Sequence, residues 1–274
     1  MKDEDASIRL ERQVSTWNQM AQLYAAENAP RLAAVADRVI VHAGPKEGDH
    51  VLDVGTGTGT VVKQVAAHLG ERGEVVGIDI SPEMLAVAER QLVSAGPARI
   101  RFVEGGAELI PAADSTFDIV LACLSLMYVP DRAVAAREIS RVLRPGGCFV
   151  GAVWAKAEQC DLVRFQEMAG TYAAAPPIPG VGPGVLADPD PFLQQLSESG
   201  IDATVEIETL GFEVDSFALA WKIFAGVTAA KLSPERQQEA KDGILAAMWP
   251  NGDGPRHFRN TTQFIVGKKA RYSA

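Results

Sequence analysis

At 274 residues, 47% of them hydrophobic, the chain is long enough to bury one large core, and its formal charge of −9 excludes a nucleic-acid backbone as partner, because no Lys/Arg stripe is present to neutralise phosphates. It contains no apolar run of the roughly 18 residues that a membrane helix requires, and the N-terminus Met1-Lys-Asp-Glu-Asp5 is acidic, so neither membrane insertion nor a secretory signal is expected, and the cytoplasm is. Cys123, Cys148 and Cys160 form no Cys-x-x-Cys pair and have no histidine at ligand spacing, so they read as ordinary thiols with no metal.

Residues 8–42 carry two helical patterns, with Trp17, Met20 and Tyr24 spaced to share one face. Such a stripe is either core packing or an aromatic surface that would attract a cation, and Tyr24 or Trp17, not both, is expected at a cofactor. Next, Val51-Leu-Asp-Val-Gly-Thr-Gly-Thr-Gly59 ends an apolar strand in a glycine-rich turn, followed by a helix carrying Val61, Val62, Val65 and Leu69 on one face. Strand, loop and helix N-terminus make a ready anion site. The dinucleotide spacing G-x-G-x-x-G fails, because counting from Gly55 its last position falls on Thr60.

Asp53 adds a second objection to a dinucleotide. Two unit charges about 4 Å apart interact by ~4 kcal/mol at an effective dielectric of ~20, so a carboxylate here repels a pyrophosphate. S-adenosylmethionine avoids the conflict: its sulfonium and ammonium are cationic, and its carboxylate can take the helix N-terminus. The bland alternative is that Asp53 merely caps a turn.

The short run Glu74-Val-Val-Gly-Ile-Asp79 closes in a second acid, before Ser81-Pro82-Glu83, a helix start with its cap, first-turn proline and dipole-matched acid. In a parallel sheet Asp79 lies beside the glycine loop and can accept both hydroxyls of a ribose, which NAD and S-adenosylmethionine share. Met84, one turn on, reads equally as core and as adenine contact.

Strands are expected over 99–105, 117–123 and 148–154, and helices over 82–94 and 131–143, the latter stopped by Arg144-Pro-Gly-Gly147. Alternating strands and helices imply a doubly wound, mostly parallel α/β sheet that binds ligands at the carboxyl ends of its strands. Residues 175–191 are too rich in Pro and Gly for regular structure, and their apolar content favours a lid. A strand over 203–214, helices over 216–230 and 234–249, and a closing strand over 261–266 follow. The helices at 215–260 would roof an acceptor pocket, in which Trp221, Phe224 and Trp249, with Trp154, suit an apolar and planar molecule unless they simply pack against the sheet.

Val51–Gly59, Gly77-Ile-Asp79, Gly105-Gly-Ala-Glu-Leu-Ile-Pro111, Phe117-Asp-Ile-Val120, Val129-Pro-Asp131 and Arg141-Val-Leu-Arg-Pro-Gly-Gly147 together resemble the ordered motifs of class I S-adenosylmethionine-dependent methyltransferases, most of all the ubiquinone/menaquinone-biosynthesis-like group acting on small molecules. The resemblance covers about residues 50–155 closely and the rest in layout only. It implies a seven-stranded Rossmann-like sheet, a single domain with 8–42 as an N-terminal cap, and S-adenosylmethionine as cofactor. It places Gly55, Thr56 and Gly57 along the methionine part, Asp79 on the ribose, Ile80 beside the adenine and Ala107 and Glu108 near the adenine amino group. Cys123, ending strand four, joins this cofactor set. Two departures stand out. Gly106 replaces the Asp or Asn common after the first glycine of the third motif, so that adenine contact falls to the backbone or is absent. Leu126-Met127-Tyr128 stands where relatives often carry histidines, placing Met127 with the acceptor, alongside Trp17, Trp154 and Trp221.

A base, if one exists, is expected to be His257, read as preceding the last strand, while Tyr128 is expected to orient an acceptor hydroxyl. His42, His50 and His68 are expected on the far side of the sheet, exposed to solvent. The function these readings support is methyl transfer to an oxygen or carbon of an apolar small molecule in specialised metabolism, by a monomer or homodimer. A repurposed reaction such as a cyclisation is the alternative, since fold and cofactor pocket do not fix chemistry, and a non-catalytic cofactor-binding subunit is a third reading. A nicotinamide oxidoreductase is the weakest.

Overall fold

The computed structural model describes residues 2–92, 96–173, 180–225, 228 and 232–271, with only the helical backbone for 2–6. Its centre is a seven-stranded sheet in the order β3-β2-β1-β4-β5-β7-β6. Five strands are parallel: β1 (His50–Val54), β2 (Glu74–Asp79), β3 (Arg99–Glu104), β4 (Phe117–Cys123) and β5 (Leu143–Trp154). The sixth strand, β6 (Ile201–Val214), forms the edge, and β7 (Arg256–Lys269) inserts antiparallel between β5 and β6. The continuous apolar runs of β1, β2 and β4 follow from this layout, because helices cover both faces and Val51, Leu52, Val75 and Val120 are wholly buried. The chain order reverses between β1 and β4, which opens a crevice at their carboxyl ends.

The covering helices are α1 (Lys2–Leu23), α2 (Ala29–Ala43), α3 (Thr60–Leu69), α4 (Pro82–Gln91), α5 (Arg132–Val142), α6 (Asp161–Gly170), α7 (Asp190–Glu198), α8 (Phe217–Phe224) and α9 (Pro234–Met248). The cap read from the sequence is in place, the Ser81 hydroxyl accepting the Met84 N–H at 3.1 Å, and the structure adds a second at α5, where Asp131 accepts the Val134 N–H at 3.0 Å.

Four boundaries differ from expectation, each for a physical reason. The first helix begins at Lys2 and passes through a π-helical turn at Tyr24–Asn28 into α2. Pro30, just beyond that turn, has no N–H and a ring that clashes with a regular α-helical carbonyl, and the wider turn absorbs both defects. The Arg144-Pro-Gly-Gly147 stop belongs to β5 as an irregularity: Phe117 pairs with Leu143 and Ile119 with Cys148, so the intervening residues bulge out at Gly146, whose φ is +80°. The closing strand extends from the expected 261–266 to Arg256–Lys269 because β6 pairs with it along its whole length. Of the expected helices, α4 ends at Gln91 and α8 at Phe224; residues 93–94, 226–227 and 229–230 lie outside the described residues, as do 175–179 of the expected lid.

A single buried asparagine ties the last strand to α6. Asn260 accepts the Leu162 N–H at 2.9 Å and is 1% exposed. Asn260→Ala is therefore expected to lower the unfolding free energy by about 1–3 kcal/mol, the cost of stranding a buried donor, as read from urea denaturation.

Candidate active site

The glycine-rich loop leaves β1 at the crevice and is fastened to its neighbours by its own backbone. Gly55 and Thr56 donate N–H bonds to the Ile78 carbonyl at 2.9 Å each, and Gly57 donates to Asp79 Oδ2 at 2.9 Å. Across the loop the Ser125 hydroxyl donates to the Val54 carbonyl at 2.7 Å. This is why position 55 must be glycine: its φ is +70°, and an added Cβ would lie 2.4 Å from Ser125 Cβ.

The loop borders a partly open cavity of about 40 Å³. Asp53, Thr56 and Gly57 line one side, Tyr24 from the π turn another, and Cys123 and Leu124 from the end of β4 a third. Ala29, Leu32 and Ala36 of α2 close it. Among the described residues, no Lys, Arg or His lines it.

Asp53 is 1% exposed, and neither carboxylate oxygen has a hydrogen-bond partner. Burial pushes its pKa up to about 7; the Thr56 hydroxyl nearby pulls the other way without reaching good hydrogen-bond geometry, and the Asp79 charge adds to the rise. Burial also raises the Asp79 carboxyl above the usual carboxylate range, against backbone N–H groups that favour its charge. The same burial drives the Tyr24 hydroxyl and Cys123 thiol far up, so both stay protonated at neutral pH. Tyr128 is pushed up to about 12 by burial alone and is a hydrogen-bond donor at neutral pH, not a base.

The expected cofactor residues thus fall into two groups. Tyr24, Asp53, Gly55, Thr56, Gly57 and Cys123 meet at the cavity. Asp79, Ile80, Met84, Gly106, Ala107 and Glu108 do not line it. Asp79 spends one oxygen on Gly57 and the other on the Ser81 N–H at 2.9 Å. Met84 is buried at 2% beside Ala21 and Val87, with Trp17, Met20 and Tyr24 packed on them, which is the core reading of the aromatic stripe. Ile80 and Gly106 face each other, since a Cβ on Gly106 would sit 3.2 Å from Ile80 Cγ2. Ala107 is buried, and Glu108 turns away to accept the Asp131 N–H at 2.8 Å.

The acceptor-side residues are dispersed. Trp17 packs edge-on against Tyr128 with ring centroids 5.0 Å apart. Met127 and Trp154 are core, the Met127 carbonyl accepting the Gly182 N–H and the Trp154 carbonyl the Gln263 amide. Trp221 lies on α8 beneath the Lys241 ammonium, 5.4 Å from its ring centroid, and Phe224 and Trp249 join Phe165 and Phe258 in an aromatic cluster. His257 needs correction: it lies within β7, not ahead of it, exposed, with Nδ1 2.7 Å from Glu213 on the edge strand and outside the cavity lining. His42 is not solvent-exposed either; its side chain packs on Phe264 within 3.2 Å of Glu208.

Several lining residues escaped the sequence reading, among them the three from α2, Thr58 and Leu124. Leu124 follows β4 with φ +56°, a backbone region that costs a leucine roughly 1–2 kcal/mol and has no sequence signal. Its N–H is held by the Ala152 carbonyl at 2.9 Å.

Strand order, glycine loop and paired acids are those of the class I methyltransferase fold. Residues 51–147 match the family model described as Methyltransferase domain. Over 106 residues the chain is 42% identical to the ubiquinone/menaquinone biosynthesis C-methyltransferase of Hahella chejuensis, covering 38% of this chain and 43% of that protein. Over 135 residues it is 36% identical to the demethylmenaquinone methyltransferase of Staphylococcus aureus, covering 49% of this chain and 54% of that one. Among solved structures, the YcgJ protein of Bacillus subtilis superposes with a TM-score of 0.63 at 21% identity, over 86% of this chain and 98% of that one. Residues 51–147 therefore match a methyltransferase domain, and this part of the chain is similar to methyltransferases of the ubiquinone/menaquinone type. The chain spans about half the length of the curated relatives it matches.

Two outcomes test the site. Gly55→Ala should lower stability by at least the ~1–2 kcal/mol of left-handed strain, read by denaturant melts, because Ser125 must also move. For Asp53, a native pKa raised from 3.8 to about 7 means that the folded protein keeps a proton which the unfolded chain gives up, so this group's stability contribution is full below the lower value and is lost as pH rises to the upper one. Asp53→Asn is expected to raise the ligand-free Tm over wild type, by more at about pH 8 than at about pH 5.

Proposed function

We propose that the protein transfers the methyl group of S-adenosylmethionine to a carbon or oxygen of an apolar small molecule. The observation that carries this reading is the uncompensated Asp53 carboxylate beside the glycine loop, in a cavity without a basic side chain. A buried charge with no protein partner is costly, and a cationic ligand is its natural complement. Gly55, Thr56, Gly57 and Tyr24 would hold the amino-acid end of the cofactor, and the N-terminus of α3 suits its carboxylate. Asp79, already bonded to two backbone N–H groups, keeps acceptor capacity for ribose hydroxyls.

When bound, S-adenosylmethionine supplies a methyl group on a positively charged sulfur. The chain's own part is to position the acceptor and exclude water, a contribution of ~7–11 kcal/mol where alignment is good. With His257 on the outer hairpin and Tyr128 protonated, neither residue expected to assist supplies general-base help of ~10²–10⁴-fold, so an acceptor with its own acidity fits best: a phenol, or the ring carbon of a hydroquinone-like molecule. The curated relatives, named for ubiquinone and menaquinone biosynthesis, favour the carbon.

The cavity is far smaller than the roughly 300–1,000 Å³ of most ligand pockets. Tyr24 and α2 close it, and α1, which runs into them, is fastened where Asn18 Oδ1 accepts the Ser81 hydroxyl at 2.7 Å and the Gln13 amide donates to the Tyr128 carbonyl at 2.6 Å. Cofactor entry on this reading lifts α1 away from α4, with the π turn as the bend. Asn18→Ala is expected to speed association of S-adenosylhomocysteine in stopped-flow measurements, whereas a slower or unchanged rate counts against the cover.

The decisive assay is incubation with methyl-labelled S-adenosylmethionine and phenolic, hydroquinone, polyketide and terpenoid acceptors. Label in an acceptor supports methylation, and product without label supports a cyclisation. Asp79→Ala is expected to weaken S-adenosylhomocysteine binding at least tenfold by calorimetry, as the loss of about two charge-assisted hydrogen bonds requires; unchanged affinity removes the assignment.

A further inference from the structure

Asp53 and the groups around it form a closed electrostatic unit. From β2 it faces Asp79, from β4 Cys123 and from the π turn Tyr24; α2 and α3 present only apolar or hydroxyl-bearing residues to the cavity. Tyr24 and Cys123 stay protonated, and Asp79 is already bonded to two N–H groups. Among the described residues that line the cavity, Asp53 is the acid with no countercharge, and its one nearby donor, the Thr56 hydroxyl, does not reach good hydrogen-bond geometry.

We propose that Asp53 is protonated when the cavity is free of ligand and gives its proton to solvent when a cationic ligand binds, making Asp53 a proton-linked selector for positively charged ligands. This rests on the S-adenosylmethionine reading and adds to it how the site distinguishes ligands. The step balances simply: neutral carboxyl plus cation gives carboxylate paired with cation, and one proton passes to buffer. An arriving positive charge favours the ionised form, so the carboxyl pKa falls on binding and affinity rises with pH until the free-state value, about 7, is passed. A neutral ligand of the same shape leaves the proton in place. The structure favours this over a permanently ionised Asp53, because no cationic side chain lines the cavity and no hydrogen bond reaches either oxygen.

The test is calorimetric titration of the full chain with S-adenosylmethionine and S-adenosylhomocysteine in buffers of different ionisation enthalpy, from about pH 6 to about pH 8.5. Close to one proton should be released per ligand at the acid end and almost none at the alkaline end, with affinity rising about eightfold between about pH 6 and pH 7.5 for a free-state pKa near 7. In Asp53→Asn the release should vanish and the affinity should lose that pH dependence, while a retained thermal transition shows that the variant is folded. 5′-Methylthioadenosine, which carries neither ammonium nor sulfonium, should bind without release. Proton release that persists in Asp53→Asn, or that equals zero for wild type near pH 6, overturns the proposal while leaving the cofactor assignment intact. Absence of binding by either cationic ligand at every pH overturns the cofactor assignment itself and the proposal with it.

Discussion

A carboxylate buried at the end of β1 without a countercharge is the constraint around which this site is organised. No feature nearby offers that group a countercharge, which is why burial raises its pKa. Backbone N–H groups of the glycine loop go to Ile78 and Asp79, not to Asp53, and the surrounding side chains are hydroxyls, a thiol and aliphatic carbon. An unsatisfied buried carboxyl is costly, and a fold that keeps one beside its ligand loop trades some stability for recognition.

The scaffold holds this arrangement by rigid means. Asp53 pairs in register with Gly77 on one side and Leu121 on the other, so the sheet sets its depth in the crevice. Ser125 stitches the end of β4 to Val54, and Leu124 is forced into a left-handed backbone at the cavity edge. Strain at such a place is affordable because β4 is fixed on both edges by parallel neighbours. On the far side of the sheet β7 carries structural tasks: Asn260 braces α6, and Gln263 reaches the carbonyls of Trp154, Leu186 and Ala187, tying the loop before α7 to β5. No described helix is long and apolar enough to cross a membrane, and among the described residues no group of side chains could hold a metal ion.

The geometry around the glycine loop was legible because its determinants are local. A glycine run, an acid inside a strand and a second acid closing the next strand act over a few residues, and their spacing survives folding unchanged. The acceptor end was not. Trp17, Trp154, Trp221 and Trp249 have the same sequence appearance whether they line a pocket or fill a core, and here Trp17 packs against Tyr128, Trp154 is buried in the sheet, Trp221 lies under Lys241 and Trp249 packs against Phe165. His257 illustrates the same ambiguity: a shift of the strand start from 261 to 256 carries it from a loop facing the pocket to an exposed rung opposite Glu213.

The sequence by itself determined the parallel core, the glycine loop at the carboxyl end of β1 and the nearness of Asp53, Gly55 and Asp79, since hydrophobic periodicity and turn chemistry are short-range properties. Only the tertiary structure decided that neither Asp53 oxygen is well hydrogen-bonded, that Asp79 is already bonded to Gly57 and Ser81, that the π turn and α2 close the cavity, and that Leu124 is strained at its edge. These are matters of which distant groups meet and which are shut away from water, and burial and pairing exist only once the strands have assembled.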